Sequence, residues 1–180
     1  MLIRSEESVL VVIDMQERLL PAMQAPALTV KNTRTLLAAA EEMQVPVLVT
    51  EQNPKGLGAT VEPIRSAASQ ATFIEKMHFS CLEEPDFAHA FESLGRKQAV
   101  LAGMEAHICV VQTAASLIER GLEVFVVSDA TASRRRESED ACLTRLGAAG
   151  AGIVTTEMVV FEWLGRAGTP AFTRVLKLIK

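Results

Sequence analysis

The chain has 180 residues, 49% of them apolar and 22% charged, a profile that excludes a disordered or linker-rich protein. Eighteen basic residues against 22 acidic ones leave a formal net charge of −4, which argues against a dedicated nucleic-acid binder. No apolar run approaches the ~20 residues that span a bilayer, so no membrane partner is expected.

Arg4, Glu6 and Glu7 interrupt the N-terminus before any apolar run, so it reads as carrying no leader peptide. Val9 to Ile13 is then a continuous aliphatic run closed by Asp14, the pattern of a strand buried on both faces. Leu36, Leu37, Ala40 and Met43 share one helical face. Pro46 introduces a second strand, Val47-Leu48-Val49-Thr50. Glu51 to about Thr60, E-Q-N-P-K-G-L-G-A-T, is longer than a connection needs and reads as a candidate lid or substrate wall. Thr72-Phe73-Ile74 is the third strand, and His89 falls in a helical stretch after it. Ala99 to Gly103 is the fourth, with Gly103 a backbone requirement of the turn that follows. Val110, Ala114, Leu117 and Ile118 share the next helical face. Val124 to Ser128 is the fifth strand. Arg134-Arg135-Arg136, followed at once by Glu137, Glu139 and Asp140, reads as a charge-compensated helix entrance. Cys142, Leu146 and Ala149 line a further helix, and Ile153 to Thr155 is the sixth strand. Met158, Phe161, Trp163 and Leu164 lie on a last helical segment, more apolar than one face needs; core packing is the first explanation and a subunit interface the second.

This strand–helix alternation predicts an α/β fold: a three-layer αβα sandwich on a six-stranded parallel sheet of Rossmann-like order 3-2-1-4-5-6. No composition break marks a linker, so residues 1–180 are expected to form one domain. The cysteines Cys81, Cys109 and Cys142 form neither a disulfide framework nor a zinc spacing, which points to a reducing cytoplasm.

In such a sheet the ligand crevice lies outside the carboxyl ends of the strands. Asp14 closes strand 1, Lys76 follows strand 3, and Cys109 lies just past strand 4 at the first turn of a helix. Strands 1 and 4 are adjacent in the expected order, so Asp14 and Cys109 face each other across the crevice, and the long stem of Lys76 reaches inward. A cation and a helix start lower a thiol's pKa, and a carboxylate takes its proton, which together make a nucleophile. An inert buried cysteine at a helix start is the alternative, and spacing does not choose between them. Gln16, Gln52, His78 and Phe79 are candidate substrate-binding residues around this edge. His107 and Cys109 are two apart and make a poor metal pair. Cys81 and Cys142 read as small hydrophobes.

V-V-I-D-M-Q near the start, the lysine after strand 3, A-G-M-E-A-H-I-C-V opening a helix and the later V-S-D-A-T-A-S-R resemble the isochorismatase-like cysteine hydrolases. The similarity runs from about Val9 to Trp163. It implies a catalytic triad of Asp14, Lys76 and Cys109, a cis peptide at Met104–Glu105, and an oxyanion hole built from the N–H groups of Glu105 and Cys109. It also implies a homo-oligomer. Nicotinamidases of that superfamily carry a metal-binding Asp-x-His pattern after strand 2; this chain has Thr50-Glu51-Gln52-Asn53-Pro54, so neither a metal nor another cofactor is expected. Isochorismate lyases of the siderophore type generally lack the nucleophilic cysteine that stands here as Cys109. The expected function is hydrolysis of a small amide-like molecule, the alternatives being a non-catalytic oligomeric scaffold and a thiol redox sensor.

Overall fold

The computed structural model describes residues 2–179. Its strands are β1 (Ser8–Ile13), β2 (Val47–Gln52), β3 (Thr72–Lys76), β4 (Gln98–Met104), β5 (Glu123–Ala132) and β6 (Gly152–Val154). They form one six-stranded sheet, parallel throughout, in the order β3-β2-β1-β4-β5-β6. The helices are α1 (Pro26–Glu42), α2 (Pro54–Leu57), α3 (Glu62–Ala67), α4 (Pro85–Ser93), α5 (Val111–Glu119), α6 (Arg136–Ala148), α7 (Thr156–Leu164) and α8 (Pro170–Ile179). The fold class and strand order are those expected from the sequence.

Strand β1 explains the layering. All six of its residues are buried, and successive side chains leave opposite faces. Leu10 and Val12 pack with Leu36, Leu37, Val159, Val160 and Trp163 of α1 and α7. Val9, Val11 and Ile13 pack with Phe87, Leu117 and Leu146 of α4, α5 and α6. A strand covered on both sides has no use for polar alternation, hence its unbroken aliphatic run. The Trp163 indole donates to Ser8 Oγ at 3.1 Å, so the ring's one polar atom is satisfied inside the core.

Three strands extend two or more residues past their expected ends. β2 runs to Gln52 and β3 to Lys76, so Lys76 closes its strand instead of following it. β5 runs to Ala132 through a bulge: Leu101 pairs with Val126, but Gly103 pairs with Thr131. The looped-out segment includes Asp129, whose Oδ1 accepts from the N–H and hydroxyl of Thr156 at 2.8 and 2.9 Å and so anchors the start of α7. α8 was not read in the sequence. On α7, Val159, Val160 and Trp163 face inward, while Met158 and Phe161 are 45% and 40% exposed.

Gly103 has φ +120°, and a Cβ there would stand 2.0 Å from the carbonyl oxygen of Ile13. Only glycine lets β4 come this close to the last residue of β1. That approach sets the two strand ends carrying Asp14 and Cys109 side by side.

Candidate active site

Asp14 is the first residue past β1 and holds φ +53°, a left-handed conformation that Asp tolerates better than most residues. Its side chain is fully buried. Lys76 lies two strands away, about 10 Å at ordinary strand spacing, and its stem covers the gap. Its Nζ is 2.7 Å from Asp14 Oδ2, with both side chains at 0% exposure. The same ammonium donates to Gln52 Oε1 at 2.7 Å and, more loosely, to the carbonyls of His78 and Phe79 at 3.3 and 3.5 Å. Gln52 stands opposite Lys76 in the β2–β3 register, which is why the two meet.

Cys109 lies in a π-helical turn, Ala106–Val110, that leads into α5 and follows a cis peptide between Met104 and Glu105. The cysteine is 5% exposed. Burial pushes the Cys109 pKa up, and the neighbouring Asp14 charge adds to this, outweighing the opposite pull of Lys76. The low-pKa thiolate expected from a nearby cation is therefore not the resting state; the resting thiol is protonated, with a carboxylate nearby. Burial also works against the Lys76 charge, but Asp14 and the thiols around it hold its pKa above the ordinary lysine value.

Two further residues complete this cluster: Thr50, expected only as a strand residue, and Cys81, expected as a small hydrophobe. Thr50 Oγ1 donates to Asp14 Oδ1 at 2.7 Å, in a buried contact set by the Ile13–Thr50 register. Cys81 is fully buried, with its Sγ 4.0 Å from Thr50 Oγ1 and its N–H on Thr113 Oγ1 at 3.0 Å. No motif marks either residue. Thr50 looks like any β-branched strand residue, and Cys81 reaches the site only through the short helical turn Cys81–Glu83.

The expected substrate-binding residues divide. Gln16 spends its side chain on structure: Nε2 donates to the carbonyls of Gln52 and Gly58 at 3.0 and 2.7 Å, and Oε1 accepts from the Gln52 N–H at 2.7 Å. Gln52 touches Lys76 directly. The His78 ring is turned outward, 2.7 Å from Glu84 Oε1, and Phe79 is 52% exposed, so both reach Lys76 through backbone carbonyls. Glu105 is buried and accepts from Arg134 Nε at 2.6 Å. His107 Nδ1 shares a hydrogen bond with Ser133 Oγ at 2.8 Å.

The loop after β2 is a wall tied in place. Glu17 N–H bonds the Ala59 carbonyl, Arg18 N–H bonds the Leu57 carbonyl, and Glu51 Oε1 accepts from the Thr60 N–H at 2.7 Å. Among the described residues no group of three or more His, Cys, Asp or Glu side chains is placed to hold a metal ion, and no helix is long and apolar enough to cross a membrane.

The buried thiols give a pH prediction. Burial pushes Cys81 and Cys142 up to about 11, and Cys109 also moves up. The unfolded chain loses these protons from about pH 8.5 onward while the folded chain keeps them, so stability falls with rising pH. Lys76 acts in the same direction, since its raised pKa contributes stability that disappears as pH climbs through its folded value. Urea midpoints should therefore drop steeply above about pH 9, and Cys81→Ala should make the drop shallower.

The arrangement is a buried carboxylate ion-paired to an ammonium, with a thiol nearby at the same end of the sheet. Among proteins of known structure, the chain is similar to the MAR1 ribonuclease of Caenorhabditis elegans, with TM-score 0.93 and 34% identity over 99% of this chain and 92% of that one. It is also similar to YcaC of Pseudomonas aeruginosa, solved with hexane-2,5-diol and covalent acrylamide, with TM-score 0.92 and 25% identity over 98% and 91% of the two chains. Isochorismatase domain-containing protein 1 of Danio rerio is 36% identical over 167 residues, which cover 93% of this chain and 59% of that longer protein. The isochorismatase domain model matches residues 8–158, and the chain belongs to the isochorismatase family.

Proposed function

We propose that the chain, as one domain over residues 1–180, is a cysteine hydrolase of small amide-like molecules, with Cys109 as nucleophile, Asp14 as proton acceptor and Lys76 as their electrostatic partner. The observation that carries this reading is the buried Asp14–Lys76 ion pair at 2.7 Å, with the Cys109 thiol close enough for both charges to act on it. A protonated thiol with a base in place suits attack coupled to deprotonation. Asp14 takes the thiol proton as sulfur bonds to the carbonyl carbon, and Lys76 offsets the negative charge in the pocket. The tetrahedral oxyanion is received by the N–H groups of Glu105 and Cys109, and each such donor is worth about 10²–10³ in rate. Asp14 returns its proton to the departing amine, leaving a thioester. Water, giving a proton to Asp14, attacks the thioester carbon; the acid leaves and Cys109 recovers its hydrogen.

The 5% exposure of Cys109 favours a small substrate over a polymer, and the net charge of −4 gives a polynucleotide little to hold. The chemistry needs no metal or organic cofactor. Three free thiols fit a reducing cytoplasm. Exposed Met77 and Phe79 beside the site, with Met158 and Phe161 on α7, support association with further copies of this chain.

Acrylamide tests the reading, since it presents an amide next to an electrophilic carbon. Incubation at neutral pH followed by peptide mass spectrometry should place the adduct on Cys109, with Cys81 and Cys142 left unmodified. Equal labelling of all three would remove the case for an activated thiol.

A further inference from the structure

Thr50 and Cys81 form a buried polar pair against Asp14, and the reaction as written gives neither a role. Asp14 is protonated twice and deprotonated twice per turnover. As a carboxylate it accepts on Oδ1 from Thr50 at 2.7 Å and on Oδ2 from Lys76 at 2.7 Å. Once Asp14 carries the proton taken from Cys109, one of its oxygens must donate. Oδ2 faces an ammonium, which offers no acceptor on that side, whereas a proton on Oδ1 meets Thr50 Oγ1. A hydroxyl can take that proton's hydrogen bond by rotating, provided its own hydrogen finds another acceptor. The sulfur of Cys81, 4.0 Å from Thr50 Oγ1, is there to receive it.

We infer that Thr50 is a positioning residue whose hydroxyl turns between Asp14 and Cys81, keeping Asp14 hydrogen-bonded both as carboxylate and as acid. This rests on the triad reading above. No proton leaves the pair: the hydrogen bond Cys81 S–H to Thr50 O reverses to Thr50 O–H to Cys81 S, and returns when Asp14 gives its proton to the leaving amine. The thiol of Cys81 stays protonated throughout, in keeping with a pKa that burial pushes up to about 11. A buried unpaired acid would otherwise raise the energy of each step in which Asp14 is neutral.

The test measures the rate of acrylamide addition to Cys109 in the full chain, by mass spectrometry at neutral pH, in four variants. Thr50→Val keeps the side-chain shape and should slow labelling by about tenfold or more, the loss of one buried hydrogen bond. Thr50→Ser keeps the hydroxyl and should restore the rate to within about twofold of the original. Cys81→Ala removes the second acceptor without touching Asp14 and should slow labelling several-fold, whereas Cys81→Ser should not. Wild-type speed in Thr50→Val, or a Thr50→Ser variant as slow as Thr50→Val, overturns the inference while leaving the triad intact. If Thr50→Val does not fold, equal rates in Cys81→Ala and Cys81→Ser overturn it. Failure of the unmodified chain to label at Cys109 defeats the triad reading itself, and is thereby told apart.

Discussion

Replacing Asp14 by asparagine should lower folding stability by about 3–5 kcal/mol, because it leaves a buried lysine charge without its counter-charge. Lys76 and Asp14 are both at 0% exposure, so no water takes over the lost contact. The Gln52 amide oxygen and two long carbonyl contacts remain around the ammonium, and none carries a full charge. Asparagine is the informative choice, since it tolerates the left-handed backbone at φ +53° and keeps the side-chain volume. Lys76→Met should cost a similar amount for the mirror reason, stranding the carboxylate. The double variant Asp14→Asn, Lys76→Met removes both charges and should be more stable than the sum of the single losses implies. Urea denaturation of the four proteins measures the coupling. Additive losses would mean that the two charges do not depend on each other in the folded state.

The nearness of Asp14, Lys76 and Cys109 was legible in the sequence for a general reason. Residues closing parallel strands converge on one edge of the sheet, and the β1–β4 neighbourhood follows from the doubly wound order. The run V-V-I-D and the cysteine at the start of a helix needed no further information to be set near one another. Thr50 was not legible, because a threonine inside an aliphatic strand has many uses, and only the Ile13–Thr50 register puts its hydroxyl on Asp14. Gln16 lies beside the site, and its side chain bonds the last residue of β2 twice and Gly58 of the following loop once. His78 lies two residues past β3, where the chain has already turned, and its ring pairs with Glu84 in solvent.

The electrostatics were the least legible part. Sequence gives the presence of a cation near the thiol, which alone lowers its pKa. It does not give burial or the distance to Asp14, and those two decide the sign for Cys109. Burial likewise keeps Cys81 and Cys142 neutral, with their sulfurs against the Thr50 hydroxyl and the Ala106 carbonyl instead of a carboxylate.

Replacing Cys109 by serine should separate chemistry from stability in the opposite way. Serine is smaller by little and places a hydroxyl in the same position near Asp14, so the urea midpoint should move by less than about 1 kcal/mol equivalent. Turnover of any small amide that the unmodified chain hydrolyses should fall by about 10⁴-fold or more, the scale seen when a nucleophile is removed from a working triad. The physical reason is the proton: a hydroxyl is a far weaker acid than a thiol, and one buried carboxylate does not remove its hydrogen at a useful rate. Acrylamide labelling at position 109 should vanish together with turnover. A serine variant that still hydrolysed amides at the original rate would place the nucleophile elsewhere, with water activated by Asp14 as the group left in position to attack. A serine variant losing acrylamide labelling from a chain that never showed turnover would instead favour a thiol kept for sensing or for holding a partner. The pairing of Asp14→Asn with Cys109→Ser thus divides the cluster into the charge pair that holds the sheet edge together and the sulfur that acts on what enters it.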